Sequence, residues 1–144
     1  MLAYIIALVM VGQQLPFQEL VIKPHLSTLL TIEQVDKLVT DSARLYGANK
    51  NEMLETVKCE AEKELIGGVV YYKTDGQSWH KRPDGSTEQS YGLAMWYIPA
   101  GNKTKDGTVF TEAMAKDPVL ALNTMAWYFS MGWQKKWTCY QTNP

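Results

Sequence analysis

Apolar side chains recur along the chain at two spacings, and each spacing predicts an element. Ile32, Val35, Leu38, Val39 and Leu45 follow the three-to-four residue period of an amphipathic helix. Thr31 and Gln34 form a capping box at its start, and Gly47 is placed to end it. Asn49 opens a second helix, with Met53, Leu54, Val57, Ala61 and Leu65 as its stripe and Gly67-Gly68 as its stop. Val69 to Lys73 has strand composition, and Thr74-Asp75-Gly76 and Asp84-Gly85 are turns, so 69–90 is expected to be a small irregular β-wing. Tyr91 to Tyr97 is apolar and compact, and 101–107 is a polar loop. Asp117-Pro118 starts a last amphipathic helix carrying Leu122, Met125, Ala126 and Phe129, which Gly132 ends.

The resulting fold class is mainly α (α+β) with a small β excursion, in one domain over 31–144. Residues 1–30 stand apart as an apolar N-terminal segment and a linker containing two prolines. Within them Leu2 to Gly12 is an uncharged apolar run, shorter than the roughly 20 residues that a spanning helix needs. The run has the length of the apolar part of an export signal or retained anchor. No Lys or Arg precedes it, and no small-x-small cleavage site follows. A buried first helix or strand is the other reading.

Composition narrows the function. Fourteen Lys and Arg against fifteen Asp and Glu leave none of the basic excess expected of a nucleic-acid binder. Five Trp exclude a solvated, disordered chain. Two Cys and two His, all far apart, offer no zinc spacing. A carboxyl is the better candidate for chemistry. Glu60 lies beside Met53 and Val57 at the edge of the helical stripe, where lost hydration disfavours the charged form and suits a general acid. Glu62 points to the opposite, solvated side, and Glu64 borders the stripe again. The alternative is that all three are ordinary helix-surface glutamates.

Three segments, in order, resemble the lytic transglycosylases and goose-type lysozymes. Val57-Lys58-Cys59-Glu60 is similar to the family helix that ends in a Glu. Ser90-Tyr91-Gly92-Leu93-Ala94-Met95, with Pro99 after it, resembles the Ser-x-Gly-Leu-x-Gln segment. Asp117-Pro118 with Tyr128 resembles the family helix that bears a Tyr about ten residues on. Cys59 and the Trp137-Thr138-Cys139-Tyr140 segment are similar to small secreted bacterial and phage members. Two positions depart: Ala61 stands where Ser is usual, and Met95 where Gln is usual.

The resemblance implies a lysozyme-like fold, with helices around a cleft, and cleavage of peptidoglycan between N-acetylmuramic acid and N-acetylglucosamine. Glu60 would act as acid and then base, giving 1,6-anhydro-muramoyl ends without any cofactor. It implies Ser90, Tyr91, Gly92, Leu93 and Tyr128 as substrate-binding residues; the alternatives are a plain turn at Gly92 and a core tyrosine at Tyr128. Trp79, Tyr91, Trp96 and Tyr97 are stacking candidates, though each suits core packing as well. A lysozyme-type hydrolase of the same bond would need a second carboxylate, from Asp75, Asp84 or Glu88. A silent glycan-binding domain is the third reading. Export would let Cys59 pair with Cys139; two free thiols are the alternative. The expected partners are glycan strands, with no nucleic acid, and the chain is expected to be a monomer. The expected location is secreted, periplasmic or at the cell surface, with membrane anchoring through residues 2–12.

Overall fold

The computed structural model describes residues 28–98, 102, 107 and 109–142. It begins with a strand, β1 (Leu29–Leu30), in a stretch expected to be linker. Leu30 is fully buried and pairs with Tyr72, which is what draws the segment into the fold. Helix α1 (Ile32–Tyr46) starts as expected: Gln34 N–H donates to the Thr31 hydroxyl and Thr31 N–H donates to Gln34 Oε1. Gly47, at φ +70°, ends it. Helix α2 (Lys50–Glu60) is capped by the Asn49 side chain, which accepts from the N–H groups of Asn51 and Glu52.

Helix α2 stops at Glu60, short of the expected Leu65. Ala61 turns to extended backbone, and Lys63–Ile66 becomes strand β2, which pairs antiparallel with β3 (Val69–Lys73). Gly67-Gly68 is therefore not a helix stop. Both glycines have positive φ, +56° and +81°, the geometry of a two-residue hairpin turn, so Leu65 faces Val70 across the ladder and is exposed. Glu64, on the same strand, is exposed as well. The next strands are β4 (Gln77–Lys81), β5 (Thr87–Tyr91) and β6 (Trp96–Tyr97). They form a second antiparallel sheet in the order β4-β5-β6, beside the first, β1-β3-β2.

This corrects the expected fold class. The chain is α+β, with two regular three-stranded antiparallel sheets and five helices among the described residues. A mainly α, lysozyme-like set of helices around a cleft, with one irregular wing, is not what forms. The physical reason lies in 61–97, where tight turns and cross-strand pairing place more than half of the residues in ladders.

Glu62, expected to be solvated, ties the two sheets together. It accepts from Lys73 Nζ at 2.8 Å, at the end of β3, and from Gln77 N–H at 3.0 Å, at the start of β4. Those two donors hold its carboxyl below the usual 4.5, the lysine first.

Helix α3 (Glu112–Lys116) runs to Asp117, whose carboxylate caps α4 (Pro118–Ser130) through the N–H groups of Val119 and Leu120. A 3-10 turn (Gln134–Lys136) leads to α5 (Thr138–Thr142). Helix α4 packs on α1, where the buried Ser42 hydroxyl donates to Asn123 Oδ1 at 2.8 Å. Beside it an aromatic cluster joins the β-layer to the C-terminal segment: Trp96 lies 5.2 Å from Tyr128 and 4.9 Å from Trp137. Both buried indoles are satisfied. Trp96 donates to the Ala121 carbonyl and Trp137 to the Ala94 carbonyl.

Cys59 and Cys139 are joined in a disulfide across a sequence separation of 80. Closing a loop of that length is worth about 4.5 kcal/mol on the chain-entropy view. The expected membrane anchoring is not supported. Among the described residues no helix is long and apolar enough to cross a membrane, the longest being the 15 residues of α1. The anchor assigned to residues 2–12 lies outside the described residues.

Two stability predictions follow from the joints between elements. Gly92 has φ +79°, and a Cβ there would sit 1.7 Å from the Ala115 carbonyl oxygen. Gly92→Ala is expected to cost about 3 kcal/mol or more in denaturant unfolding, and a cost below about 1 kcal/mol would disprove that contact. For Glu62 the folded pKa is depressed, so its contribution is present above 4.5 and fades as pH falls through the folded value. The pair is partly exposed, which limits it to about 1 kcal/mol or less. Glu62→Gln should therefore lower Tm at pH 7 and converge with the wild type at low pH; a gap that widens in acid would contradict this.

Candidate functional site

A cleft of about 650 Å³ opens between the second sheet and the helices. Its composition follows from strand periodicity. Side chains two apart on a strand share a face, and in β4–β5 Ser78 pairs with Ser90 and His80 with Glu88. These four, with Arg82, form one polar wall of the cleft. Trp79, on the alternate positions of the same ribbon, is 66% exposed and is not among the lining residues.

The opposite side is built from Glu60 at the end of α2, Tyr128 of α4, and Lys136, Trp137 and Thr138. Met95, Trp96 and Tyr97 close the floor. Tyr128 has no exposed surface in the usual sense, yet its ring borders the cleft and carries the Lys136 ammonium at 4.7 Å. Met95 is held at φ +45°, unusual for a residue with a Cβ.

Glu60 is half-buried and is held from one side. Cys139 N–H donates to its Oε1 at 2.8 Å. No other hydrogen bond or ion pair reaches Glu60 among the described residues, so Oε2 keeps its lone pairs. Across the cleft Glu88 is committed differently. Arg82 reaches its Oε2 from Nε at 2.9 Å and from a terminal nitrogen at 2.8 Å. That carboxylate, first by hydrogen bonding and then by its charge, raises the Arg82 pKa. Arg82 also lies 5.1 Å from the Tyr97 ring centre. The cleft thus balances two carboxylates, Glu60 and Glu88, against two cations, Arg82 and Lys136.

Of the sequence-expected residues, the structure brings Glu60, Ser90, Tyr128 and Glu88 to one cleft, together with Trp96 and Tyr97. Tyr91, Gly92 and Leu93 are buried and do not line it. The Tyr91 hydroxyl donates to Gln89, Leu93 is in the core, and Gly92 serves the close approach of the β5–β6 turn to α3. Asp75 is exposed in the β3–β4 turn. Asp84 is spent on the β4–β5 turn, where the Ser86 hydroxyl and N–H donate to its carboxylate and hold its pKa down. Ser78, His80, Arg82, Lys136 and Thr138 were not expected. A regular strand over 77–81 would have aligned Ser78, His80 and Arg82 on one face, but the two turns on either side pointed to an irregular wing.

The chain matches no protein-family model, no curated protein and no solved structure. The likeness to lytic transglycosylases therefore rests on the three short segments themselves.

The Glu60 bond predicts a split between two substitutions. Gln keeps an oxygen able to accept from Cys139 N–H, whereas Ala leaves that donor unsatisfied. Glu60→Ala should be less stable than Glu60→Gln by about 1–2 kcal/mol in chemical unfolding, and equal stabilities would show that the bond contributes nothing.

Proposed function

We propose that this protein is a glycosidase of the bacterial cell wall, cleaving the β-1,4 bond between N-acetylmuramic acid and N-acetylglucosamine as a lytic transglycosylase. The observation that carries the proposal is Glu60. It ends a helix at the wall of a cleft large enough for a sugar chain, with one carboxyl oxygen anchored and the other unclaimed. Carboxyl chemistry at a glycosidic bond needs such a group: fixed in place, but with an oxygen open to the substrate.

In this reading the Glu60 carboxyl gives its proton to the glycosidic oxygen as the bond to the muramoyl C1 breaks. The carboxylate left behind takes the proton of the muramoyl 6-hydroxyl, whose oxygen bonds to C1 and closes the anhydro ring. The proton balance closes on one residue and no water is consumed. The polar wall suits a ligand rich in hydroxyl and acetamide groups, because Ser78, Ser90 and His80 offer hydrogen bonds. Trp96 and Tyr97 bring aromatic surface to the same space. The resemblance of the segments at Glu60, Ser90–Met95 and Asp117–Tyr128 to the lytic transglycosylases supports the same reaction.

One observation favours a second reading. Glu88 is the only one of the three candidate second carboxylates that lines the cleft, and Arg82 engages just one of its oxygens. A carboxylate so placed could activate water, which would make the enzyme a hydrolase of the same bond.

Digestion of purified peptidoglycan, followed by mass spectrometry of the released fragments, separates these readings. The transglycosylase predicts fragments lighter by one water, with anhydro-muramoyl ends, and at least a hundredfold lower rate for Glu60→Gln. Reducing ends, with a comparable loss in Glu88→Gln, would select the hydrolase. Glycan binding without release, unchanged by Glu60→Gln, would overturn both and leave a binding domain.

A further inference from the structure

Glu60 and Cys139 are held together twice, by two bonds of different kinds. The Cys59 sulfur, on the residue before Glu60, is bonded to Cys139. The backbone N–H of that same Cys139 donates to Glu60 Oε1 at 2.8 Å. The two bonds close a small ring of adjacent residues at the lip of the cleft. The segment that brings in Cys139 also brings Lys136, Trp137 and Thr138 to the cleft wall. Little else fixes the Glu60 side chain: it protrudes at the last residue of α2, beyond which the backbone becomes extended.

We propose that Cys139 is the positioning residue of the site and that its disulfide is a latch: a dithiol reductant that opens it frees the Glu60 carboxyl and switches cleavage off without unfolding the domain. The proposal rests on Glu60 being the acid of the reaction above. Chemically, one dithiol passes two electrons and two protons to the bond, leaving Cys59 and Cys139 as thiols and the dithiol as its own cyclic disulfide. Access does not forbid the exchange, because Cys59 is exposed and Cys139 half-buried. The rest of the core has its own contacts. Trp137 still donates to the Ala94 carbonyl and packs on Trp96, and Tyr140 packs on Phe129, so the segment stays docked and what opens is the link that pins the Cys139 amide against Glu60.

The hydrogen bond can be read directly by amide exchange in the full-length oxidised chain. The Cys139 amide should be protected in the wild type and in Glu60→Gln, and should exchange at least tenfold faster in Glu60→Ala. Equal protection in all three would overturn the clamp, whatever the protein's activity. The latch is read by reducing the wild type with dithiothreitol. The Cys139 amide should then exchange at least tenfold faster while the buried amides of Val57 and Leu122 keep their protection. On peptidoglycan kcat should fall at least tenfold with KM within about twofold, and air oxidation should restore it. Unchanged kcat after reduction would overturn the latch, as would a loss of core protection in step with activity, since the effect would then be unfolding. If the oxidised chain releases nothing from peptidoglycan, the enzymatic reading fails and the latch with it, while the exchange comparison of the Glu60 variants still decides the clamp.

Discussion

The constraint on which the rest depends is the pairing of residues 59 and 60 with residue 139. The disulfide fixes the C-terminal segment to the end of α2, and the Cys139 amide fixes the carboxyl that follows. Remove that pairing and the Cys139 amide is no longer pinned against the Glu60 carboxyl, although Trp137 keeps the wall docked through the Ala94 carbonyl. The aromatic cluster acts in the same direction. Trp137 spans from the Ala94 carbonyl to the rings of Trp96, Tyr128 and Phe129, and so docks the C-terminal segment on the β-layer and on α4 together.

The facing wall depends on a different kind of bond. A two-stranded ribbon places alternate residues on one face, and that rule alone aligns Ser78, His80, Arg82, Glu88 and Ser90. The Arg82–Glu88 pair then neutralises one charge just past the end of β4 and one on β5. Glu62 joins this sheet to the first, at the point where the chain leaves β3 for β4. Helix end, ribbon face and C-terminal segment thus meet at one place although they lie far apart in sequence.

What could be read beforehand was local. The Thr31 capping box, the Gly47 stop, the Asn49 cap and the Asp117-Pro118 start each depend on a few neighbouring residues, and each stands in the structure. What escaped was set by distant pairing. Leu65 fits a helical stripe as well as a strand, and only the ladder to Val70 decides between them. Gly67-Gly68 ends a helix or turns a hairpin with equal ease. Of the site, Glu60 was visible because a carboxyl at the edge of an apolar stripe stands out, and Glu88 because the chemistry could use a partner. His80 and Arg82 were hidden by the assumption of an irregular wing. Gly92 drew notice for the right physical property, room for close approach, but the neighbour that needs it is the Ala115 carbonyl.

The decisive measurement is a crystal structure of Glu60→Gln with a bound oligosaccharide of alternating N-acetylmuramic acid and N-acetylglucosamine. The sugars are expected to lie between the β4–β5 ribbon and the 136–138 wall, with a glycosidic oxygen within about 3 Å of the residue-60 side chain. An oligosaccharide seated elsewhere, or one in the cleft whose glycosidic oxygens all lie beyond reach of residue 60, would contradict this.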